Sequence, residues 1–138
     1  PLEGFWWQEG GEGMDYGNKA ALNWISCIRL PEFITPGDLA WAVARAAEKK
    51  RTDCSAAEFL TIDEGLCVQM MHRGPFDAEP ASVAAMDEYL AESGFMKDLG
   101  GNRLHHEIYL SDARRVPPEK WKTVLRQPIR KTQGSPRS

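Results

Sequence analysis

The stretch Leu104-His105-His106-Glu107-Ile108-Tyr109-Leu110 decides the fold. Its alternation predicts a strand. His105, Glu107 and Tyr109 share one face, and Leu104, His106, Ile108 and Leu110 share the other. A carboxylate in such a strand is costly to bury unless it is paired or put to use. If the aliphatic set packs against helices, Glu107 and Tyr109 face a different environment, and a cavity between the halves of a sheet is one candidate. Spacing by itself also allows a solvent-facing Glu on the open side of the sheet.

Working outward, Pro80 opens a helix that runs to about Ser93, with Val83, Met86, Tyr89 and Leu90 inward and Gly94 as its stop. Leu66–His72 reads as the strand before it and Trp121–Gln127 as the strand after, closed by Pro128. Phe95–Arg103 reads as a loop and Pro117-Pro118-Glu119-Lys120 as a turn. The unit is therefore β-α-β-β. Glu58–Ile62 is a further expected strand, joined to Leu66–His72 by a three-residue hairpin at Asp63-Glu64-Gly65.

Nearer the start, Glu3–Trp7 and Leu22–Leu30 read as strands, the second ended by Pro31, with an exposed loop at Gly10–Asn18. Thr35-Pro36-Gly37-Asp38 is a helix-start signal: an N-cap Thr, Pro in the first turn and an acid three residues after the cap. That helix should reach Lys50 with Leu39, Ala42, Val43, Ala46 and Ala47 inward and Trp41 at the edge of the stripe. Ile28-Arg29-Leu30-Pro31 echoes Leu125-Arg126-Gln127-Pro128, which suggests a duplicated β-α-β-β unit, although chance also accounts for four similar residues. In that reading the first unit has only its last two strands here, and the chain begins inside a structural element.

The chain has 138 residues, 42% hydrophobic and 27% charged, which suits one globular domain with a sizeable core. A net charge of −3 does not favour nucleic acid or an anionic membrane as partner. Arg126, Arg130, Lys131 and Arg137 read as a frayed tail, residues 131–138 being flexible. Three cysteines without CxxC spacing (Cys27, Cys54, Cys67) point to a reducing cytoplasm without disulfides. Apolar runs are too short for a membrane span.

Two carboxylates are the candidates for chemistry. Glu107 sits on the strand face with Tyr109. Glu79 precedes the Pro80 helix, where it is either an acid favoured by the helix dipole or a group presented to a pocket. Glu3 stands in a third acidic-aromatic frame beside Trp6 and Trp7, whose side chains point to opposite faces. Trp24, Trp41 and Trp121 read as core. Five Trp and five Met supply an adaptable apolar pocket. His105 and His106 point opposite ways and cannot share one ion, so no metal site and no cofactor is expected. His72 reads as a hydrogen-bonded strand end, or as part of a ligand-binding set with Trp6, Trp7, Met70, Phe76 and Tyr109.

Pro1-Leu2-Glu3-Gly4-Phe5-Trp6-Trp7, Ile28–Ile34, Glu64–Pro75, His105–Asp112 and Lys122–Pro128 together resemble the GyrI-like small-molecule-binding family, in order and over nearly the whole chain. The resemblance implies a GyrI-like domain over residues 1–130, here lacking its N-terminal strand and helix. It implies an α+β fold of duplicated β-α-β-β units with pseudo-twofold symmetry: an antiparallel sheet, helices on one side and a central ligand cleft. Such clefts take flat, hydrophobic, often cationic compounds, with a buried Glu at the position of Glu107 as counter-charge. One subgroup opens the cyclopropane of DNA-alkylating cyclopropanoids with two Glu, matched here by Glu79 and Glu107. Two functions follow. One is a detoxifying hydrolase in which burial raises a carboxylate towards neutrality as general base. The other is a sequestering multidrug binder or the effector domain of a transcription regulator. A homodimer, or association with an N-terminal segment, would cover the strand edge that the truncated unit leaves.

Overall fold

The computed structural model describes residues 1–9 and 18–134. It divides into two units, residues 1–28 with 64–138, and residues 29–63. The first contains β1 (Leu2–Gln8), β2 (Leu22–Ile28), β3 (Cys67–Arg73), α2 (Glu79–Ser93), β4 (Phe95–Lys97), β5 (His105–Tyr109) and β6 (Lys122–Lys131); the second contains α1 (Pro36–Lys50).

The fold is α+β. An antiparallel sheet runs in the order β2-β1-β5-β6-β3, with β4 paired to the last residues of β6. Strand, helix, strand, strand follow one another in β3, α2, β5 and β6, with the short β4 added after the helix. Val83, Met86 and Leu90 form the buried stripe of α2 and pack with Val68, Leu125 and Ile129. Burying each such side chain is worth about 1.5–3 kcal/mol, which fixes α2 on that face of β3 and β6. Leu125 lies directly opposite Glu107 in the β5–β6 register, so the covered face is also the Glu107 face.

In the second unit, α1 starts as its signal predicts. Thr35 Oγ1 accepts from the Asp38 N–H, and the Thr35 N–H donates to Asp38 Oδ2 at 2.7 Å. The expected inward stripe is not buried, however: Leu39, Val43 and Ala46 are half-buried, and Ala42 and Ala47 are exposed. Among the described residues no helix is long and apolar enough to cross a membrane.

Several local expectations fail for want of a partner or because of one. Residues 58–62 form no strand; among the described residues β3 pairs with β6 alone. Gly65 does take the positive φ of +62° expected there, but no hairpin surrounds it. Phe95–Lys97, expected in a loop, is held as a strand by Ile129–Lys131. β6 does not stop at Pro128. That residue falls between the stretches that pair with β5 (up to Arg126) and β4 (from Ile129), so its missing N–H forfeits no ladder bond there. Its carbonyl accepts from the Asp98 N–H at 2.8 Å. Arg126, Arg130 and Lys131 are thus strand residues rather than tail. Arg137 and the expected loop at 10–17 lie outside the described residues. Tyr89, Trp24 and Trp41 are exposed rather than core. Trp121 is half-buried, its indole donating to the Val116 carbonyl.

Candidate functional site

β5 carries the centre of the site. Its pleat aligns His105, Glu107 and Tyr109 on the face covered by α2. Glu79 comes to the same place by a different route. After β3 the chain turns at Gly74, whose φ of +123° favours glycine, and passes through a single helical turn at Phe76–Ala78 before α2 begins at Glu79. His72 braces this turn. Its Nε2 donates to the Pro75 carbonyl at 2.9 Å, and its Nδ1 accepts from Ser82 Oγ at 2.7 Å.

Glu79 and Glu107 are 2% and 6% exposed. With His105 they bring one ligand-capable atom each within 4.8 Å of one another. Glu107 Oε2 accepts from the Tyr109 hydroxyl at 3.0 Å, and Tyr109 in turn accepts from the Trp6 indole at 3.0 Å. His105 Nε2 faces Glu107 Oε1 at 3.5 Å, and Gln127 Nε2 lies 2.9 Å from His105 Nδ1. The Gln127 amide donates to Nδ1, which leaves the ring proton on Nε2. These three residues, one of them among the histidines that neighbouring-pair geometry ruled out, form a group that could also hold an ion.

Two adjacent buried carboxyls cannot both ionise cheaply. Burial, then the hydrogen bond and charge of Glu107, push Glu79 up to about 10. Burial also pushes Glu107 up, but its contacts with His105, Glu79 and Tyr109 outweigh that and hold it below the ordinary carboxylate range. Burial and the Glu107 charge raise the Tyr109 phenol. The expected drift of one base towards neutrality is therefore replaced by a split: a neutral acid beside an anion, the pattern that assigns acid and base roles.

Glu79, Glu107 and Tyr109 line a cleft of about 1210 Å3. Its walls include Trp6, Leu22, Phe76, Pro80, Tyr109 and Leu110, with Lys19, Asp77, Asp112 and Arg114 at the polar positions. Phe76 meets Tyr109 edge-on at 5.7 Å and Trp121 at 4.8 Å. Of the residues expected to bind a ligand, Trp6, Phe76 and Tyr109 line this cleft with Glu79 and Glu107. Trp7 does not; it lines a smaller cavity of about 350 Å3, because neighbours on a strand point apart. Met70 packs against the core, and His72 is the brace just described.

Sequence reasoning missed Gly4 and Gln127, and set His105 on the Glu107 face without a role beyond a rejected metal site. Gly4 lies opposite Glu107 in the β1–β5 register. A Cβ there would sit 2.8 Å from Trp6 Nε1 and 3.1 Å from the Tyr109 hydroxyl. A glycine amid strand aromatics is a readable signal of close approach. Gly4→Ala is expected to displace the Trp6 indole and break its bond to Tyr109, at about 1–3 kcal/mol, the usual cost of overpacking. The indole N–H resonance of Trp6 and a denaturation curve check this; an unmoved resonance would refute it.

A sheet with one face half-covered by a helix, and an aromatic cleft holding two buried carboxyls beside that helix, defines a small-molecule-binding α+β domain. The chain belongs to the GyrI-like small molecule binding domain family, which it matches over residues 1–130. Three solved structures from Listeria innocua share the fold. An uncharacterized conserved protein is 46% identical with a TM-score of 0.87, covering 94% of this chain and 63% of that one. A hydrolase is 43% identical with a TM-score of 0.82, covering 94% and 62%. The hydrolase encoded by lin2189 is 44% identical with a TM-score of 0.82, covering 94% and 63%. The chain thus spans under two thirds of the length of these neighbours. No curated protein matches it.

Proposed function

We propose that the cleft binds flat, hydrophobic electrophiles and adds water to them, with cyclopropanoid DNA-alkylating compounds as the substrate class. The observation that carries this reading is the pair Glu79–Glu107, adjacent and buried, in surroundings that push Glu79 up and hold Glu107 down. Glu107 accepts a proton from water. The water oxygen forms a bond to a cyclopropane carbon, and the ring C–C bond breaks. Its electron pair passes to the conjugated carbonyl, which takes a proton and becomes a phenol. The product is the substrate plus one water. Neutral Glu79 orients the water and supplies a proton to the site. A positioned base contributes typically 10²–10⁴-fold. The aromatic walls suit a planar ligand, and the likeness to two Listeria innocua hydrolases supports a hydrolytic reaction.

A second reading rests on the buried Glu107 anion. Sharing the cleft with Trp6, Phe76 and Tyr109, it is also a counter-charge for a flat cation that is held without turnover, as in a sequestering protein or an effector-binding domain. Incubation with a cyclopropanoid alkylator, followed by mass spectrometry, separates the two. Gain of one water in step with protein concentration supports hydrolysis. An unchanged compound, with saturable binding of a planar cationic dye, supports the second reading.

A further inference from the structure

His105 and Gln127 are buried polar residues, 1% and 2% exposed, that do not line the main cleft. They stand behind Glu107, on the same sheet face and one strand apart. Gln127 reaches His105 Nδ1 at 2.9 Å, and the opposite nitrogen of the ring faces Glu107 Oε1 at 3.5 Å. Glu107 Oε2 is already held by Tyr109. Both oxygens of Glu107 therefore face a donor, whereas Glu79 Oε1 is buried without a hydrogen-bond partner.

We propose that Gln127 and His105 are positioning residues that, acting through Glu107, decide which of the two carboxyls carries the anion. This rests on the catalytic reading of the Glu79–Glu107 pair. The chemistry is a tautomer lock. An amide N–H given to Nδ1 leaves the imidazole proton on Nε2, where it meets Glu107. A bare Nε2 would instead set a lone pair against the carboxylate and drive the proton from Glu79 to Glu107. The titratable groups facing Glu107 are His105 and Tyr109 from β5 and Glu79 from α2. β1 and β6 present Gly4, Trp6, Leu125 and Gln127, which do not titrate. His105 is thus the one facing group whose protonated nitrogen is set by a residue remote from any ligand. Gln127 gives the arrangement its direction, because its amide orientation selects the tautomer.

The test is nuclear magnetic resonance on the full chain, which needs neither ligand nor turnover. Long-range 15N spectra of wild type are expected to show a proton on His105 Nε2; a bare Nε2 overturns the proposal. Carboxyl 13C titrations then compare wild type with His105→Phe and, as a milder change, Gln127→Leu. In at least one variant that retains the wild-type fold by amide spectra, the Glu107 midpoint is expected to rise by a unit or more and that of Glu79 to fall. A Glu107 midpoint unmoved in folded variants overturns the proposal. Where wild type hydrolyses a cyclopropanoid, Gln127→Leu should lower kcat about ten-fold at neutral pH with KM little changed, and should move the acid limb of the pH profile upward. A uniformly scaled profile would mean a structural role only. If wild type shows no hydrolysis, the catalytic reading fails by itself, and the resonance data still judge the tautomer lock.

Discussion

Glu107→Gln is expected to cut hydrolysis about 100-fold or more, the scale of a lost general base, and Glu79→Gln at least about ten-fold. The two variants should differ in stability in opposite directions. Folded Glu79 keeps its proton up to about 10, whereas an unfolded glutamate releases it near ~4.3. The stability that neutral Glu79 contributes is therefore complete below the unfolded value and drains away as pH rises towards 10. Glutamine mimics the neutral form and cannot ionise in either state. Glu79→Gln should thus be more stable than wild type at pH ~8, on the order of 1–3 kcal/mol, with a flatter dependence between pH ~5 and ~9. Glu107 is held below the ordinary range, so its contribution is present above the unfolded value and lost as pH falls through the folded one. Glu107→Gln should accordingly lose stability at neutral pH. Thermal melts across this range, beside product assays, check both signs. Parallel curves for wild type and Glu79→Gln would refute the split, and full activity in both variants would refute the two-carboxylate mechanism.

The largest expected loss of stability lies on the opposite face of the sheet. His106 is 3% exposed, with Glu3 Oε1 at 2.7 Å from Nε2 and Glu64 Oε1 at 2.7 Å from Nδ1. Phe5 stacks on its ring at 4.0 Å. Arg126 bonds Glu64 at 2.9 Å and Gln69 at 3.0 Å. Each ring nitrogen thus bridges to a carboxyl oxygen. His106→Leu would leave Glu3 buried without its partner, and breaking such a cluster costs about 3–5 kcal/mol. Urea unfolding should show this as a lower midpoint at unchanged slope. Adding Glu3→Gln and Glu64→Gln should recover part of the loss, since neutral groups carry a smaller desolvation penalty. No recovery would mean that the damage is to packing against Phe5 rather than to charge.

How much was legible varies with how local each cause is. The start of α1 was readable because Thr35 and Asp38 satisfy each other within one turn. The end of α2 was readable because Gly94 takes a φ of +76° that other residues avoid. The alternation of β5 correctly set Glu107 beside Tyr109. The strand expected at residues 58–62 failed although Phe59, Leu60 and Ile62 fit the pattern, because pairing needs a neighbour that no local rule supplies. β4 was missed for the converse reason: three residues become a strand only through β6. His72 and Met70 sit on the same face as Glu107, yet a hydrogen-bonded turn claims one and the α2 core claims the other.

The sequence by itself determined the β-α-β-β order, the strand phase that puts Glu107 and Tyr109 together and the helix start beside Glu79, since each follows from periodicity or helix-start signals within a few residues, and its motifs' resemblance to a family implied the class of fold. Only the tertiary structure decided that the two carboxyls meet and which of them keeps the proton. Their closeness depends on α2 docking across β3 and β6 through Val83, Met86 and Leu90. Their different protonation depends on Tyr109 and His105, the latter held by Gln127, facing one carboxyl, while the other is buried with Oε1 unpartnered and has Glu107 as its hydrogen-bond neighbour. Burial and charge coupling act through space, and residues 28 positions apart in the chain acquire them only when the sheet and helix are assembled.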